Sequence, residues 1–281
     1  MIIFPCAKIN LGLNVVERRP DGYHNLQTVF FPVPICDALE IKTMDESFPS
    51  DVACDLKVTG NAVECNEADN LIVKAYNMLA ADFEIPRIHA HLYKNIPSQA
   101  GLGGGSSDAA FMIRLLDQRF RINIGNAAME SYAARLGADC PFFISAEPSY
   151  AEGIGEILSP VNITDHNLKG HTLVVVKPDV AVSTKEAFSH IKPCQPEFCC
   201  RDIVAMPVEK WKDLLKNDFE DSVFSFHPQL KEIKERLYSF GATYAQMSGS
   251  GSSLFGIFNS KVSKEEAEKA FADCRTFVIE L

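Results

Sequence analysis

The sequence predicts an α+β protein of two domains. Segments with strand alternation and segments with helical periodicity are mixed along the chain without strict βαβ alternation, which disfavours a doubly wound sheet. The stretch 162–170 is the poorest in apolar residues in its neighbourhood, which places the domain boundary there and gives domains 1–161 and 162–281. A chain of 281 residues that is 47% hydrophobic and 23% charged has enough apolar material for a full core in each half, so disorder and collagen-like repetition are excluded.

Residues 2–16 read as strand around Pro5 and Gly12, and the turn chemistry of Arg18-Arg19-Pro20-Asp21-Gly22 precedes a second strand over 26–31. The β-rich opening continues at 38–43 and 56–59. Residues 70–79 carry apolar side chains at helical spacing with Asp69 available as N-cap, and 89–94 alternates like a strand. That strand runs into a glycine-serine loop, a helix over 109–116 and another over 127–136. Short strands and turns follow to Val161. The second half begins with a strand at 172–177, continues with helices at 184–191, 208–215 and 228–240, and reaches a strand pair flanking Met247-Ser248-Gly249-Ser250-Gly251-Ser252-Ser253. A helix over 264–272 and a strand over 276–281 close it.

With 27 basic against 37 acidic residues the formal charge is -10, so the overall field repels nucleic-acid backbones and anionic lipid. No nucleic-acid or membrane partner is expected, and any phosphorylated ligand requires a local binding device. No apolar run approaches the length of a membrane helix, and the opening lacks the basic region of a signal peptide, so the chain reads as cytoplasmic. The nine cysteines are scattered without a C-x-x-C pair, which favours reduced, mostly buried thiols. Cys194, Cys199 and Cys200 cluster in sequence, but no histidine stands at ligand spacing, so metal binding there is disfavoured.

The strongest chemical signal is Gly101-Leu102-Gly103-Gly104-Gly105-Ser106-Ser107-Asp108. Four glycines leading from a strand into a helix let the backbone fold into a concave run of N–H donors, and the helix N-terminus adds its positive end. A plain turn with Ser106 or Ser107 as N-cap needs fewer glycines, so the phosphate reading outweighs it. The spacing fits neither a dinucleotide fingerprint nor a Walker loop, which requires a lysine that is absent here. The second turn, Gly249-Ser250-Gly251, also fails the dinucleotide count and is either a ligand-closing loop or a hairpin. Lys8 and Asp139 each lie in apolar sequence, where a charge must be paired or used; a structural ion pair and a catalytic pair are equally open.

The loop resembles that of the GHMP kinases, a superfamily of small-molecule kinases. Within it, Ala7-Lys8-Ile9-Asn10-Leu11, Asp21-Gly22-Tyr23-His24-Asn25-Leu26-Gln27-Thr28, Asp69-Asn70-Leu71, Leu136-Gly137-Ala138-Asp139-Cys140-Pro141-Phe142-Phe143, Ala151-Glu152-Gly153-Ile154-Gly155-Glu156 and Ser248-Gly249-Ser250-Gly251 are similar to the branch acting on a cytidine-diphosphate-linked polyol. The resemblance covers nearly the whole chain and is weakest over 192–208. It implies a ribosomal-S5-like N-terminal domain for ATP binding and catalysis and a ferredoxin-like C-terminal domain for substrate. The implied reaction is transfer of the γ-phosphate of ATP to the 2-hydroxyl of a cytidine-diphosphate-linked methylerythritol, a step of non-mevalonate isoprenoid synthesis.

By matching positions, the resemblance implies Asp139 as orienter or base for the hydroxyl and Lys8 as stabiliser of its developing charge. Pro97, Gly101, Leu102, Gly103, Gly104, Gly105, Ser106 and Ser107 would surround the ATP phosphates, with Asn70, Lys94 and Asp108 near the nucleotide. Mg2+ is implied as the counterion of ATP, with Ser107 a candidate ligand and its other protein ligands unassigned. On the substrate side, Tyr23 and Phe188 would flank the cytosine, His24 would read its edge, and Asn10 and Thr184 would contact the substrate. Without the resemblance, Tyr23 reads as a turn aromatic and Phe188 as a core residue of its helix. Two rivals remain at this level. Another GHMP kinase with a different alcohol would have no need of Tyr23-His24, and a binding protein that has lost catalysis would have no need of both Lys8 and Asp139 beside an intact loop. Oligomeric state is not legible in the sequence.

Overall fold

Pro5 cannot donate to a sheet ladder, and the opening strand accordingly breaks there into β1 (Ile2–Ile3) and β2 (Cys6–Arg18). The computed structural model describes residues 1–49, 51–61, 66–163 and 168–281. Its contacts divide the chain into two compact units that interleave in sequence. The first holds residues 1–7, 34–98 and 103–147; the second holds 8–33, 99–102 and 148–281. This differs from a single cut after Val161, because β2 and β3 (His24–Cys36) each run 13 residues and contribute one end to each unit. The predicted linker 162–170 lies partly outside the described residues.

In the first unit, β4 (Ala38–Thr43), β5 (Cys54–Gly60) and β6 (Ile88–Lys94) join β1 in a four-stranded sheet of order β1-β4-β6-β5. β5 and β6 are parallel, and α1 (Leu71–Asp82) forms their crossover. α1 packs on α2 (Gly104–Phe120), and both pack on the sheet. Alternation sorts the sheet's faces: Leu39, Ile41, Ala90 and Leu92 are buried, whereas Glu40, Lys42, His91 and Tyr93 are exposed. Asn70, rather than Asp69, caps α1, its Oδ1 accepting the Ile72 N–H at 3.0 Å, while Asp69 ends a preceding 3-10 turn. α3 (Asn126–Ala134) and the short α4 (Phe142–Ser145) complete the unit.

The second unit carries two four-stranded sheets. β7 (Ser149–Glu152) and β8 (Ile157–Pro160) extend β2 and β3 in the order β2-β3-β7-β8. The other sheet, order β10-β11-β9-β12, is antiparallel throughout and contains β9 (Thr172–Pro178), β10 (Tyr244–Met247), β11 (Leu254–Phe258) and β12 (Cys274–Glu280). Strand, helices, hairpin, helix and strand follow one another in the ferredoxin-like pattern the sequence led us to expect. Its core joins Val174, Val176, Ala245 and Phe258 of the sheet to Leu230, Ile233 and Leu237 of the helix Pro228–Ser239. Among the described residues, the helices Cys200–Val204 and Phe219–Phe226 of this unit, like α4 of the first, were not predicted. Residues 208–215 form a 3-10 turn followed by one short helix rather than a single helix.

Among the described residues the eight cysteines are free, and no group of three or more His, Cys, Asp or Glu is disposed to hold a metal. No described helix is long and apolar enough to cross a membrane.

Candidate active site

The glycine loop passes from one unit to the other. Gly101 and Leu102 belong to the second, Gly103 to Asp108 to the first. Gly101 and Gly103 have φ of 71° and 70°, in the left-handed region that glycine adopts without strain. At Gly101 the demand is also steric, since a Cβ there would lie 2.0 Å from the Ser248 carbonyl oxygen. Ser248 Oγ donates to Gly101 O at 2.8 Å, and Ser253 N donates to Ala100 O at 3.1 Å. The second glycine-serine turn is therefore the β10–β11 hairpin and also the seat of the first loop's entry.

α2 starts inside the glycine run, with Gly103 rather than Ser106 or Ser107 in the capping position. The first N–H groups of a helix have no intrahelical acceptor, so its opening turn presents donors and the positive end of the helix dipole. A Cβ on Gly105 would meet nothing within 4 Å, whereas one on Gly104 would lie 3.0 Å from Ile96 and 3.3 Å from Lys94 Nζ. Released from capping, Ser107 is buried and its Oγ has no hydrogen-bond partner. An orphaned hydroxyl in the first turns of α2, beside open space over Gly105, fits a polyphosphate with its counter-cation. Pro97 is half-buried after β6, and Asn70 Oδ1 caps α1.

Lys94 Nζ and Asp108 Oδ2 are committed inside the first unit, while Asp108 Oδ1 is buried without a hydrogen-bond partner. Lys94 Nζ donates to Asp108 Oδ2 at 2.7 Å and to Asp37 Oδ2, and Asp37 Oδ1 accepts the N–H groups of Asn95 and Ile96 at 2.5 and 2.7 Å. All three residues are buried. Burial pushes the Asp108 carboxyl up to about 8; Lys94 opposes that shift and the neighbouring Asp37 adds to it. For Lys94, burial works against the charge, but the two carboxylates outweigh it and hold the ammonium above its usual range. Asp37 was missed in the sequence; its only signal there is an acid after the apolar run that ends β3.

In the second unit, Lys8 Nζ donates to Asn10 Oδ1 at 2.6 Å and lies 4.9 Å from the centroid of the Phe30 ring. Asn10 Nδ2 donates to Thr28 Oγ1 at 2.9 Å, and the Asn10 N–H to Ser248 Oγ at 3.3 Å. Thr28 closes the Asp21–Thr28 motif but has no role assigned from the sequence, and Phe30 was missed, because threonine and phenylalanine are ordinary strand residues. His24 stacks on Phe188 with ring centroids 4.8 Å apart, and Phe188 meets Phe219 edge-on at 4.7 Å. Phe188 is therefore both a core residue and an aromatic partner of His24. Burial, and to a smaller degree Arg18, lowers the His24 pKa and favours the neutral ring. Tyr23 is 62% exposed beside it, and Thr184 is exposed in the first turn of Thr184–Phe188, behind the Ser183–Glu186 capping box. Lys8, Asn10, Tyr23, His24, Thr184 and Phe188 thus share one unit, whereas Asp139 lies half-buried in the other, in the turn between α3 and α4.

Comparison with known proteins gives a consistent picture. Residues 70–147 match the GHMP kinases N terminal domain, and residues 203–275 match the GHMP kinases C terminal family. The chain is 53% identical over 273 residues to a 4-diphosphocytidyl-2-C-methyl-D-erythritol kinase of Bacteroides fragilis, with 96% of this chain and 97% of that protein covered. It is 49% identical to the kinase of the same name from Parabacteroides distasonis, covering 98% and 97% of the two chains. A crystal structure of 4-(cytidine 5'-diphospho)-2C-methyl-D-erythritol kinase superposes with a TM-score of 0.82 at 30% identity, over 99% of this chain and 98% of that one. The Methanococcus jannaschii mevalonate kinase shares the fold, with a TM-score of 0.66 at 15% identity over 99% and 97% of the chains.

Proposed function

The chain belongs to the GHMP kinase family, and on that premise we propose that it transfers the γ-phosphate of ATP to the 2-hydroxyl of 4-diphosphocytidyl-2-C-methyl-D-erythritol, within non-mevalonate isoprenoid synthesis. The observation that carries the substrate choice is the His24–Phe188 stack in the unit that also holds Lys8 and Asn10, with Tyr23 exposed beside it. A neutral imidazole offers one donor and one acceptor, the pairing that a cytosine edge requires, and Tyr23 and Phe188 supply aromatic surface for the ring. Kinases whose acceptor is a small alcohol without a base have no use for such a group.

Phosphoryl transfer asks the protein for positioning and charge stabilisation. Asp139 accepts the proton of the attacking hydroxyl, and the Lys8 ammonium stabilises the charge that develops on that oxygen. Asn10 and Thr184 hold the substrate. The backbone from Gly101 to Ser107 cradles the triphosphate, with Pro97 and Asn70 flanking the nucleotide and Lys94 and Asp108 supporting the Gly104 turn from within. Mg2+ bound with ATP would neutralise phosphate charge, and the Ser107 hydroxyl, buried without a hydrogen-bond partner, would be one ligand for it. Residues 1–161 would thus carry ATP, catalysis and the substrate contacts Asn10, Tyr23 and His24, and 162–281 the substrate contacts Thr184 and Phe188.

The test is ADP release with the cytidine-linked substrate against mevalonate, galactose and homoserine. Turnover is expected with the first alone. Preference for another alcohol would replace the substrate assignment. Asp139→Asn should lower kcat by about 10²–10⁴-fold, the usual contribution of a positioned base, while ATP affinity by calorimetry stays within about twofold.

A further inference from the structure

Thr28 has one hydroxyl hydrogen, and the structure shows where it goes. Oγ1 donates to the Gly12 carbonyl at 2.5 Å, a group that can only accept. What Thr28 offers Asn10 is therefore a lone pair, and the Asn10 carboxamide must present its nitrogen, which it does at 2.9 Å. The oxygen of the same carboxamide is left facing the Lys8 ammonium at 2.6 Å. Were Thr28 free to donate to Asn10, its hydroxyl would serve either end of the amide, and Thr28 would no longer reinforce the polarity that the Lys8 ammonium requires. The Gly12 carbonyl that fixes this polarity is itself fixed. Gly12 has φ 72°, its N–H donates to Gln246 Oε1 at 2.9 Å, and a Cβ there would lie 2.6 Å from Leu215 Cδ1 and 2.9 Å from Cys200 Cβ. Asn10, Thr28 and Gln246 are all buried, so water is a poor substitute for any partner in the chain.

We propose that Thr28 is a positioning residue of this kinase, whose hydroxyl, committed to Gly12, sets the Asn10 carboxamide with its oxygen on Lys8 and thereby aims the Lys8 ammonium. The proposal rests on the reading that Lys8 serves phosphoryl transfer. It requires Thr28 to act through Asn10 alone, and it requires the hydroxyl rather than the side-chain shape.

Thr28→Val removes the hydroxyl at nearly constant volume, and Thr28→Ser retains it. Thr28→Val should lower kcat by about 10–100-fold with KM for ATP within about twofold, and Thr28→Ser should stay within about threefold of the unsubstituted enzyme. In an Asn10→Ala background, Thr28→Val should add less than about twofold, because the groups form one chain. Equal losses in the two Thr28 variants, or losses that multiply in the double variant, would overturn the proposal. Should Thr28→Val not fold, Thr28→Cys keeps the shape with a weaker donor and is expected between Ser and the Asn10→Ala level; activity equal to Thr28→Ser would count against the hydroxyl. A crystal structure of the variant separates this proposal from the functional reading. Separation of Asn10 Oδ1 from Lys8 Nζ, or reversal of the carboxamide, supports Thr28 as the orienting group whatever alcohol the enzyme phosphorylates, and an unchanged pair overturns it. Absence of turnover by the unsubstituted protein with the cytidine substrate would instead count against the functional reading.

Discussion

Lys8 in the second unit and Lys94 in the first are both strand lysines, 4% and 5% exposed, with different groups around their ammonium ends. Lys94 is gripped by two carboxylates, one of which is anchored by two backbone N–H groups. Lys8 is held by a carboxamide oxygen and the face of a phenylalanine ring. A carboxylate fixes a cation chiefly by charge, whereas a carboxamide dipole and a ring quadrupole constrain the direction in which it points. Burial of a lysine is thus no guide to its use; the chemistry of its partners is. The Lys94 cluster supports the strand-to-helix turn at Gly104, and Asn10 and Phe30 lie against the Lys8 ammonium.

The largest expected effect separates the two lysines by what each loss damages. Lys94→Met would leave Asp37 and Asp108 buried together without their shared cation, a change that costs about 3–5 kcal/mol of stability by the usual measure of a broken buried pair. Lys8→Met should lower kcat by about 10²–10³-fold, the size of one lost stabiliser of developing charge, with the smaller loss of stability of the two. Urea unfolding and steady-state kinetics on both variants check this crossing. If Lys8→Met unfolds the protein more readily than Lys94→Met while the latter loses more kcat, the comparison is inverted.

That contrast was half legible in the sequence. Lys8 stands out because a charge interrupts an apolar run, and the glycine loop because four glycines exceed what a turn needs. The identity of a lysine's partner is a different matter. Asp37 lies 57 residues from Lys94, and no local pattern links them. Strand β4 was predicted with its observed bounds, since 38–43 alternates cleanly. β3 runs five residues past its predicted end, through Pro32 and Pro34; its pairing with β7 stops at Phe30, so the missing N–H groups cost no bond on that side. The helix Phe219–Phe226 was missed because eight residues after Asn217-Asp218 give too short a pattern, and its place is set by the core around Val223 and Leu230. The start of α2 was placed too late because glycine propensity argues against helix there, and the surrounding packing overrides it.

The pH dependence of stability sharpens the description of the Lys94 cluster as over-supplied with acid. The Asp108 carboxyl is raised from 3.8 to about 8, chiefly by burial, so between those values the folded protein holds a proton that the unfolded chain releases. Stability should therefore fall as pH rises through that window, the sign opposite to an ordinary salt-bridged aspartate. Asp108→Asn removes the titrating group, and its thermal midpoint relative to the unsubstituted protein should improve steadily from pH 5 to pH 8 at constant ionic strength. Parallel pH profiles would mean that Asp108 is ionised throughout and that the cluster is an ordinary ion pair.

The smallest effect tests the aromatic half of the Lys8 site. Phe30 is buried with its ring centroid 4.9 Å from Lys8 Nζ, within the range of a cation–π contact. Such a contact is worth about 0.5–2 kcal/mol according to its exposure to water, so Phe30→Leu should lower kcat by roughly 2–30-fold if the ring helps hold the ammonium. Leucine also changes packing, so the variant alone does not isolate the electrostatic part. Pentafluorophenylalanine at position 30 does, because it keeps the ring's shape and reverses its quadrupole, presenting a positive face to the ammonium. The fluorinated protein should unfold at nearly the same temperature as the unsubstituted one yet show a kcat no higher than that of Phe30→Leu. If it turns over like the unsubstituted enzyme, the ring is packing only, and the direction of Lys8 is set through Asn10 without help from Phe30.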